Sequence, residues 1–300
     1  MRIRRVQPSE RPPALGRLVM GTGVLSDAQQ RKLDQYAEQM GFDYRHLWGA
    51  FDDETGIAAA TLLVPRPGRT AMLFHSPVKR HDQAEALVPV IDAACEAMPA
   101  DEATMAQALL NTGEELEQWM LEQASFDRLA VLEYMQTHVP GTMRDSPMPD
   151  GVALIAYDPA HRPLFTRALD ASYEQTLDCP GLRGLRATED VLIGHQATGV
   201  FDPSLWHVAV SGGQAVGVML LNQVPEQTLV ELVYLGISPS ARGKGLAMAL
   251  MQHGLWLCAR RGMSMMSLAV DEGNTPAMKL YRRLGFARTA RKLAMVRRLR

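Results

Sequence analysis

The residues of this 300-residue chain whose types and spacing could do chemistry are concentrated between Glu231 and Phe286. The run begins ELVYLGIS, which is β-branched, aromatic and aliphatic in the manner of a buried strand, and Pro239 ends it. Arg242-Gly243-Lys244-Gly245-Leu246-Ala247 is then a small-residue turn that opens a long helix reaching Arg261. The first amides of a helix have no partners within it, and the helix dipole adds roughly half a positive charge there. Such a turn is a site for phosphate, and glycine lets the backbone approach a ligand that a side chain would hold away. Gly236, inside an otherwise bulky strand, predicts a bulge or a close backbone approach. Glu231 is an acid at the start of an apolar strand, where the fold alone favours an aliphatic residue.

These groups need a packed sheet to hold them, and the composition allows one. Hydrophobic residues make up 47% and charged residues 21%, a core-forming balance. The length suggests two domains. A formal net charge of −2 gives no electrostatic case for nucleic acid or an anionic membrane. No apolar run is long enough to span a bilayer, and the opening MRIRRVQPSERPP lacks the apolar core of a signal peptide. Cys95, Cys179 and Cys258 are odd in number and far apart, and the histidines are scattered without ligand spacing. A soluble, reduced, cytoplasmic protein without a metal is the expectation.

Read in order, the chain shows an Arg-rich strand, then Arg-Pro-Pro and an apolar ALGRLVMG. A plain turn at Gly21-Thr22-Gly23 follows. Ser26-Asp27 caps a helix to Met40. Three strands follow, with turns at Asp52–Gly56 and Pro65–Arg69. Then come a helix over 80–98, a strand over 105–110, a helix over 114–123 and a strand over 129–135. Residues 139–151 hold three prolines and two glycines and read as a linker. Beyond them the order repeats: a strand (152–157), helices (161–174 and from Thr188) and a hairpin through Ser211-Gly212-Gly213. The central strand, turn and helix come next, then a strand (265–270), a helix (274–284) and a last strand to 298. Lys79–Leu87 lies over Arg242–Leu250 and Ser125-Phe126 over Gly285-Phe286, at an offset of about 160 residues, which suggests an internal duplication.

Arg242-x-x-Gly245-x-Ala247 resembles the acetyl-CoA signature of the GNAT superfamily of N-acetyltransferases, Gln/Arg-x-x-Gly-x-Gly/Ala. Three further features stand where that family has them. Glu231 lies at the position of its catalytic carboxylate. Asn274-Thr275-Pro276-Ala277 opens a helix. Tyr281-Arg282-Arg283-Leu284-Gly285-Phe286 matches its Tyr-x-x-x-Gly-Phe. The tandem arrangement is similar to that of mycothiol synthase, a two-domain member.

The resemblance implies an α/β chain (an α+β mixed sheet) of two tandem GNAT-like domains. Each would be a central, mostly antiparallel twisted sheet flanked by helices. Residues 1–140 would be a degenerate, non-catalytic domain, 141–151 a linker, and 152–300 the catalytic domain. It implies acetyl-CoA as co-substrate, with the pyrophosphate wrapped by Arg242, Gly243, Lys244, Gly245, Leu246, Ala247 and Met248. The pantetheine arm would lie along Leu235, Gly236 and Ile237, with Asn274 in hydrogen-bond reach. Glu231 would be the general base that neutralises a primary ammonium, whose pKa is about 10. Tyr281 would be the general acid for the departing thiolate. Direct transfer to a small-molecule or peptide amine is expected. An acyl-enzyme at Cys179 has weak support, since no histidine neighbours it in sequence.

The loop Thr176–Arg186 would wall the acceptor site. There Arg183 and Arg186 either meet an anionic group or face solvent. Arg288, Arg291, Lys292, Arg297, Arg298 and Arg300 are expected on a solvated face of the last strand. At the matching turn of the first half, Asp82 replaces the glycine and brings negative charge towards a pyrophosphate, and Leu121 falls where Tyr281 would. Two other readings stay open at this level: a non-catalytic acyl-CoA-binding regulatory module, and an acyltransferase using a longer acyl-CoA.

Overall fold

The computed structural model describes residues 1–21, 23–52 and 56–299. Thr22, residues 53–55 and Arg300 lie outside the described residues, and with them the middle of the turns expected at 21–23 and 52–56. The chain forms two compact units, Met1–Leu129 with Leu293–Arg300, and Ala130–Lys292. Both are mixed α/β structures, in line with the sequence.

The first unit runs β1 (Arg2–Arg5), α1 (Arg11–Met20), α2 (Asp27–Gln39), β2 (Leu47–Asp52), β3 (Gly56–Arg66), β4 (Thr70–His75), α3 (His81–Glu96), β5 (Met105–Asn111) and α4 (Glu115–Gln123). Strands β1 to β4 are neighbours in antiparallel pairs. β4 then pairs parallel with β5, over Thr70–Met72 against Met105–Gln107. Helix α1 is one element the sequence left unassigned. Its prolines stand in the first turn, where their missing N–H costs nothing. Ser26 caps α2 as expected, in a reciprocal bond with Gln29.

β6 (Asp127–His138) leads into the second unit. There follow β7 (Val152–Ala156), α5 (Arg162–Tyr173), α6 (Thr188–Gln196), β8 (Trp206–Ser211), β9 (Gln214–Gln223), β10 (Leu229–Ile237), α7 (Leu246–Arg260), β11 (Met265–Asp271), α8 (Thr275–Arg283) and β12 (Ala287–Arg298). β7, β8, β9 and β10 pair antiparallel in sequence order. β10 pairs parallel with β11, and β11 antiparallel with β6. The compact units therefore depart from a contiguous division at 140 and 152. Residues 130–138 belong to the second unit because they pair with β11, and Leu293 onward belongs to the first. Residues 139–151 do not hang free. Ser146 donates to Gln252 of α7 at 2.9 Å, and Asp145 meets the His253 ring at 2.8 Å.

Alternation along β9 builds a two-sided core. Val218 and Leu220 join Phe165, Leu169, Leu192 and Trp206 on the α5/α6 side. Met219 and Leu221 join Leu250, Leu255, Val230 and Leu232 on the α7 side. β10 carries a register shift between Leu232 and Tyr234. Because side chains alternate with period two, one extra residue moves everything beyond it to the other face. Val233 and Tyr234 thus both pack on the α5 side, and Leu235 and Ile237 return to the α7 side. The bulge the sequence associated with Gly236 lies here instead. Gly236 answers to the close approach: a Cβ there would stand 2.4 Å from the Ser172 hydroxyl.

Asn222 anchors α6 to this sheet. Its side chain accepts from Trp206 Nε1 at 2.7 Å and donates to the carbonyls of His195, at 2.7 Å, and Thr198. Asn222→Leu leaves the indole N–H without its acceptor and takes the side-chain donor from both carbonyls. It is expected to destabilise the fold by about 2–4 kcal/mol, measured as a lowered urea midpoint by tryptophan fluorescence, with no change in m.

Candidate active site

The parallel pairing of β10 with β11 stops at Leu232 against Leu268, while β10 continues to Ile237. The two strands part, and a cleft of about 570 Å³ opens between them. It is lined by Leu235, Gly236 and Ile237 of β10, Ala269 and Val270 of β11, the start of α7, and Tyr281 of α8. A parted strand presents main-chain donors and acceptors to an extended ligand, the geometry of strand addition.

The other end of the cleft is the turn before α7. Gly243 and Gly245 have φ of 75° and 83°, a left-handed backbone that glycine adopts without strain. A Cβ on either would meet nothing within 4 Å, so the space in front of the turn is open. Among the described residues, the amides of 243–248 have no acceptor within the chain, whereas Arg242 N reaches Pro239 O and Ala249 N reaches Gly245 O. Unpaired amides at a helix start suit a phosphate group. Gly243, Gly245, Leu246, Ala247 and Met248 line the cleft. Lys244 is exposed and stands outside that lining.

Arg242 lines the cleft too, but its guanidinium is engaged elsewhere. It donates to the carbonyls of Ile237, Gln175 and Ser172, each at 3.0 Å, and of Glu174 at 2.7 Å. Asn274 caps α8 by accepting from Ala277 N at 3.3 Å, and its amide also donates to Asp178.

Tyr281 is buried, 7% exposed, and burial followed by the nearby Asp178 carboxylate pushes its phenol well above the ordinary range. It stays protonated and can donate. Glu231 sits opposite Asn222 on β9 and Ser267 on β11. It therefore shares the α5/α6 face with Trp206 and Val233. Burial alone pushes its carboxyl up. It lines neither this cleft nor the larger one beside it.

That second cleft, about 940 Å³, lies on the α5/α6 side. Thr176, Asp178, Val233 and Tyr234 border both clefts, so the two adjoin at the β10 bulge. The loop after α5 is tied to the end of β11. Asp271 N donates to Asp178 and Cys179 N donates to Asp271, both at 3.1 Å. Arg183 and Arg186 stand in the lining.

Residues 170–286 match the family model described as Acetyltransferase (GNAT) family. This segment carries the chain's likeness to that family. The chain is similar to the mycothiol acetyltransferases of Thermomonospora curvata, at 34% identity over 153 residues (49% of this chain and 50% of that protein), and of Salinispora tropica, at 34% over 168 residues (54% and 53%). It thus spans about half the length of the curated relatives it matches. Among solved structures it resembles a GCN5-related N-acetyltransferase from Sphaerobacter thermophilus, with a TM-score of 0.63 and 21% identity across 100% of this chain and 96% of that one. A tandem GNAT protein from the clavulanic acid biosynthesis pathway follows, at TM-score 0.50 and 13% identity, covering 95% and 92%. At these identities the likeness is one of fold, and it covers both halves.

The first unit repeats the strand pairing and helix order of the second with different side chains. Matching the parallel pairs, Thr70 with Met105 and Leu229 with Met265, puts Met72 where Glu231 falls. Leu121 is fully buried in the place of Tyr281. At the turn, Lys79 N is satisfied by the Gln83 side chain at 2.9 Å, and Asp82 is held by Arg80 at 2.8 Å. The arginine-rich last strand is not uniformly solvated. Arg297, only 13% exposed, pairs with Asp92 and also donates to Ala124 O at 2.7 Å. Arg288 and Arg291 meet Glu133 and Glu272.

Sequence reasoning passed over Asp178, Tyr234 and Asp271, since the loop TLDCP was read for its cysteine. Burial, then the Asp178 and Asp271 carboxylates, push the Cys179 thiol up to about 12. From a reference of 9.0, the thiolate fraction at neutral pH drops ~1000-fold. Cys179 in the native protein is expected to alkylate with iodoacetamide at least ~100-fold more slowly than free cysteine, and Cys179→Ser to leave acetyl-CoA binding unchanged; mass spectrometry and titration calorimetry check these.

Proposed function

We propose that this chain is an acetyl-CoA-dependent N-acetyltransferase that transfers an acetyl group directly to a primary amine. One observation carries the reading. A single cleft joins a run of unpaired amides, open in front of Gly245, to a parted strand ending beside a buried protonated tyrosine. The similarity to mycothiol acetyltransferases supports a small-molecule amine acceptor. Three free cysteines fit a reducing, cytoplasmic setting.

Acetyl-CoA supplies the activated thioester. The turn amides of 243–248 hold its pyrophosphate, and the free backbone edge of β10 pairs with its extended arm. The acceptor enters from the second cleft. Glu231, on the face of β10 that carries Val233, takes the ammonium proton through water, since it does not line the cleft itself. The freed amine attacks the thioester carbon. As the C–N bond forms and the C–S bond breaks, the attacking nitrogen gives its second proton to water, and the Tyr281 O–H donates a hydrogen bond to the departing thiolate, which takes up a proton from water. A phenol raised by burial is a weak acid, so its role is to stabilise a thiolate that already leaves readily, the thiol pKa being near 8.5. Cys179 takes no part, because its thiol remains protonated. Residues 1–140 form a non-catalytic domain in this reading, for the turn, base and acid positions are all replaced there.

With an amine found by a panel screen with free-thiol readout, Glu231→Gln is expected to lower kcat/KM by ~100- to 10,000-fold. Tyr281→Phe should lower kcat by ~10- to 100-fold, and full turnover in both variants overturns the assignment. The base works deprotonated, so wild-type activity is lost as pH falls through the raised Glu231 pKa. The acid limb therefore lies above the ordinary glutamate range near 4.3 and vanishes in Glu231→Gln. Calorimetry should find one acetyl-CoA per chain. Gly245→Asp, which puts bulk and negative charge before the turn, should abolish that binding while Asp82→Asn leaves the stoichiometry at one.

A further inference from the structure

We infer that Arg242, the first residue of the acetyl-CoA signature, is a positioning residue for the acceptor side and not a phosphate ligand. The inference rests on the proposed reading only in naming the loop it holds the acceptor wall.

An arginine has five N–H donors and no acceptor. Four of the five are used here, on the carbonyls of Ile237, Ser172, Glu174 and Gln175. Three of these end α5, where the last carbonyls of a helix lack partners and the dipole is negative. α5 ends with Glu174 extended, at ψ 124°, so no glycine-type cap closes it. Gln175 has φ 50° and Cys179 φ 45°, left-handed values that non-glycine residues hold only when neighbours fix them. The segment is fixed at two points. Arg242 clamps its start, and the exchange of bonds between Asp178-Cys179 and Asp271 clamps its end.

The residues so held, Thr176 and Asp178, border both clefts. The same guanidinium ties them to the last residue of β10 through Ile237 O. The strand that lines the acetyl-CoA cleft and the loop that walls the acceptor cleft are therefore set in one register by one side chain. Lysine cannot replace it, having three donors on a single atom where four carbonyls spread around a planar fork are to be met.

The test compares full-length wild type, Arg242→Ala and Arg242→Lys by hydrogen exchange, with thermal melts to confirm folding. The amides of Thr176, Asp178 and Cys179, bonded to Tyr173 O, Thr176 Oγ1 and Asp271, are the reporters. They are expected to exchange at least ~10-fold faster in both variants, with α7 and β9 unchanged. Millimolar guanidinium should restore slow exchange in Arg242→Ala, and methylammonium should not. Acetyl-CoA affinity by calorimetry should stay within ~3-fold of wild type, since the amides of 243–248 remain, while the KM of an amine found for the wild type rises ~10-fold or more. Unchanged exchange in the loop, or acetyl-CoA affinity lost with the loop undisturbed, overturns the inference. A wild type that binds no acetyl-CoA defeats the proposed donor, and the exchange comparison still decides Arg242. If Arg242→Ala does not fold, Arg242→Lys carries the comparison.

Discussion

The parting of β10 from β11 after Leu232 is the constraint on which the rest of the second unit depends. Strand backbone cannot stay unpaired in a dry interior without a cost comparable to a lost hydrogen bond. The chain leaves β10 backbone open at the cleft, on the side away from β9. On the opposite side β10 pairs with β9 up to Ile237 against Gly217, interrupted only by Val233 at the bulge. The bulge at Leu232/Tyr234 falls where the strands separate, and it re-aims the side chains on both faces. Without it, Leu235 and Ile237 would leave the α7 core and Tyr234 would leave the α5 side.

The electrostatics follow from the same opening. Burial pushes Asp178 and Tyr281 up beside the clefts, and Glu231 up on the α5/α6 face of β10. The Asp178 and Glu231 carboxyls therefore hold their protons to higher pH than they would in solvent. Positive charge is supplied at the turn by the helix start, and Arg242 is spent on holding the loop in place. The buried thiol of Cys179 sits beside two acids, the opposite of the electropositive setting that activates a cysteine.

The first unit carries a turn of different chemistry on a similar framework. Its strands β4 and β5 also pair parallel for three positions while β4 runs on to His75. Its helix start carries no glycine, and its amide at Lys79 and carboxylate at Asp82 are satisfied within the turn itself. A carboxylate in the first turn of a helix opposes an anion there.

Much of this was legible in the sequence. Period and turn residues placed the strands and most helices, because burial of an alternating or helical stripe is a local property of the chain. The glycine turn was readable because Gly243 and Gly245 occupy left-handed positions that no bulky residue fills cheaply; Glu231 stood out as an acid in an apolar strand, and Tyr281 only through the family resemblance. Helix α1 escaped because its prolines resemble a break until one knows they stand in the first turn. What only the tertiary structure decided is where donors and faces end up. It showed that Arg242 reaches carbonyls far away in sequence, that the bulge lies at Leu232/Tyr234 and not at Gly236, and that Asp178 borders both clefts. Residue types and spacing set what each group can donate or accept. Which partner it meets depends on elements brought together by packing, and no local pattern carries that.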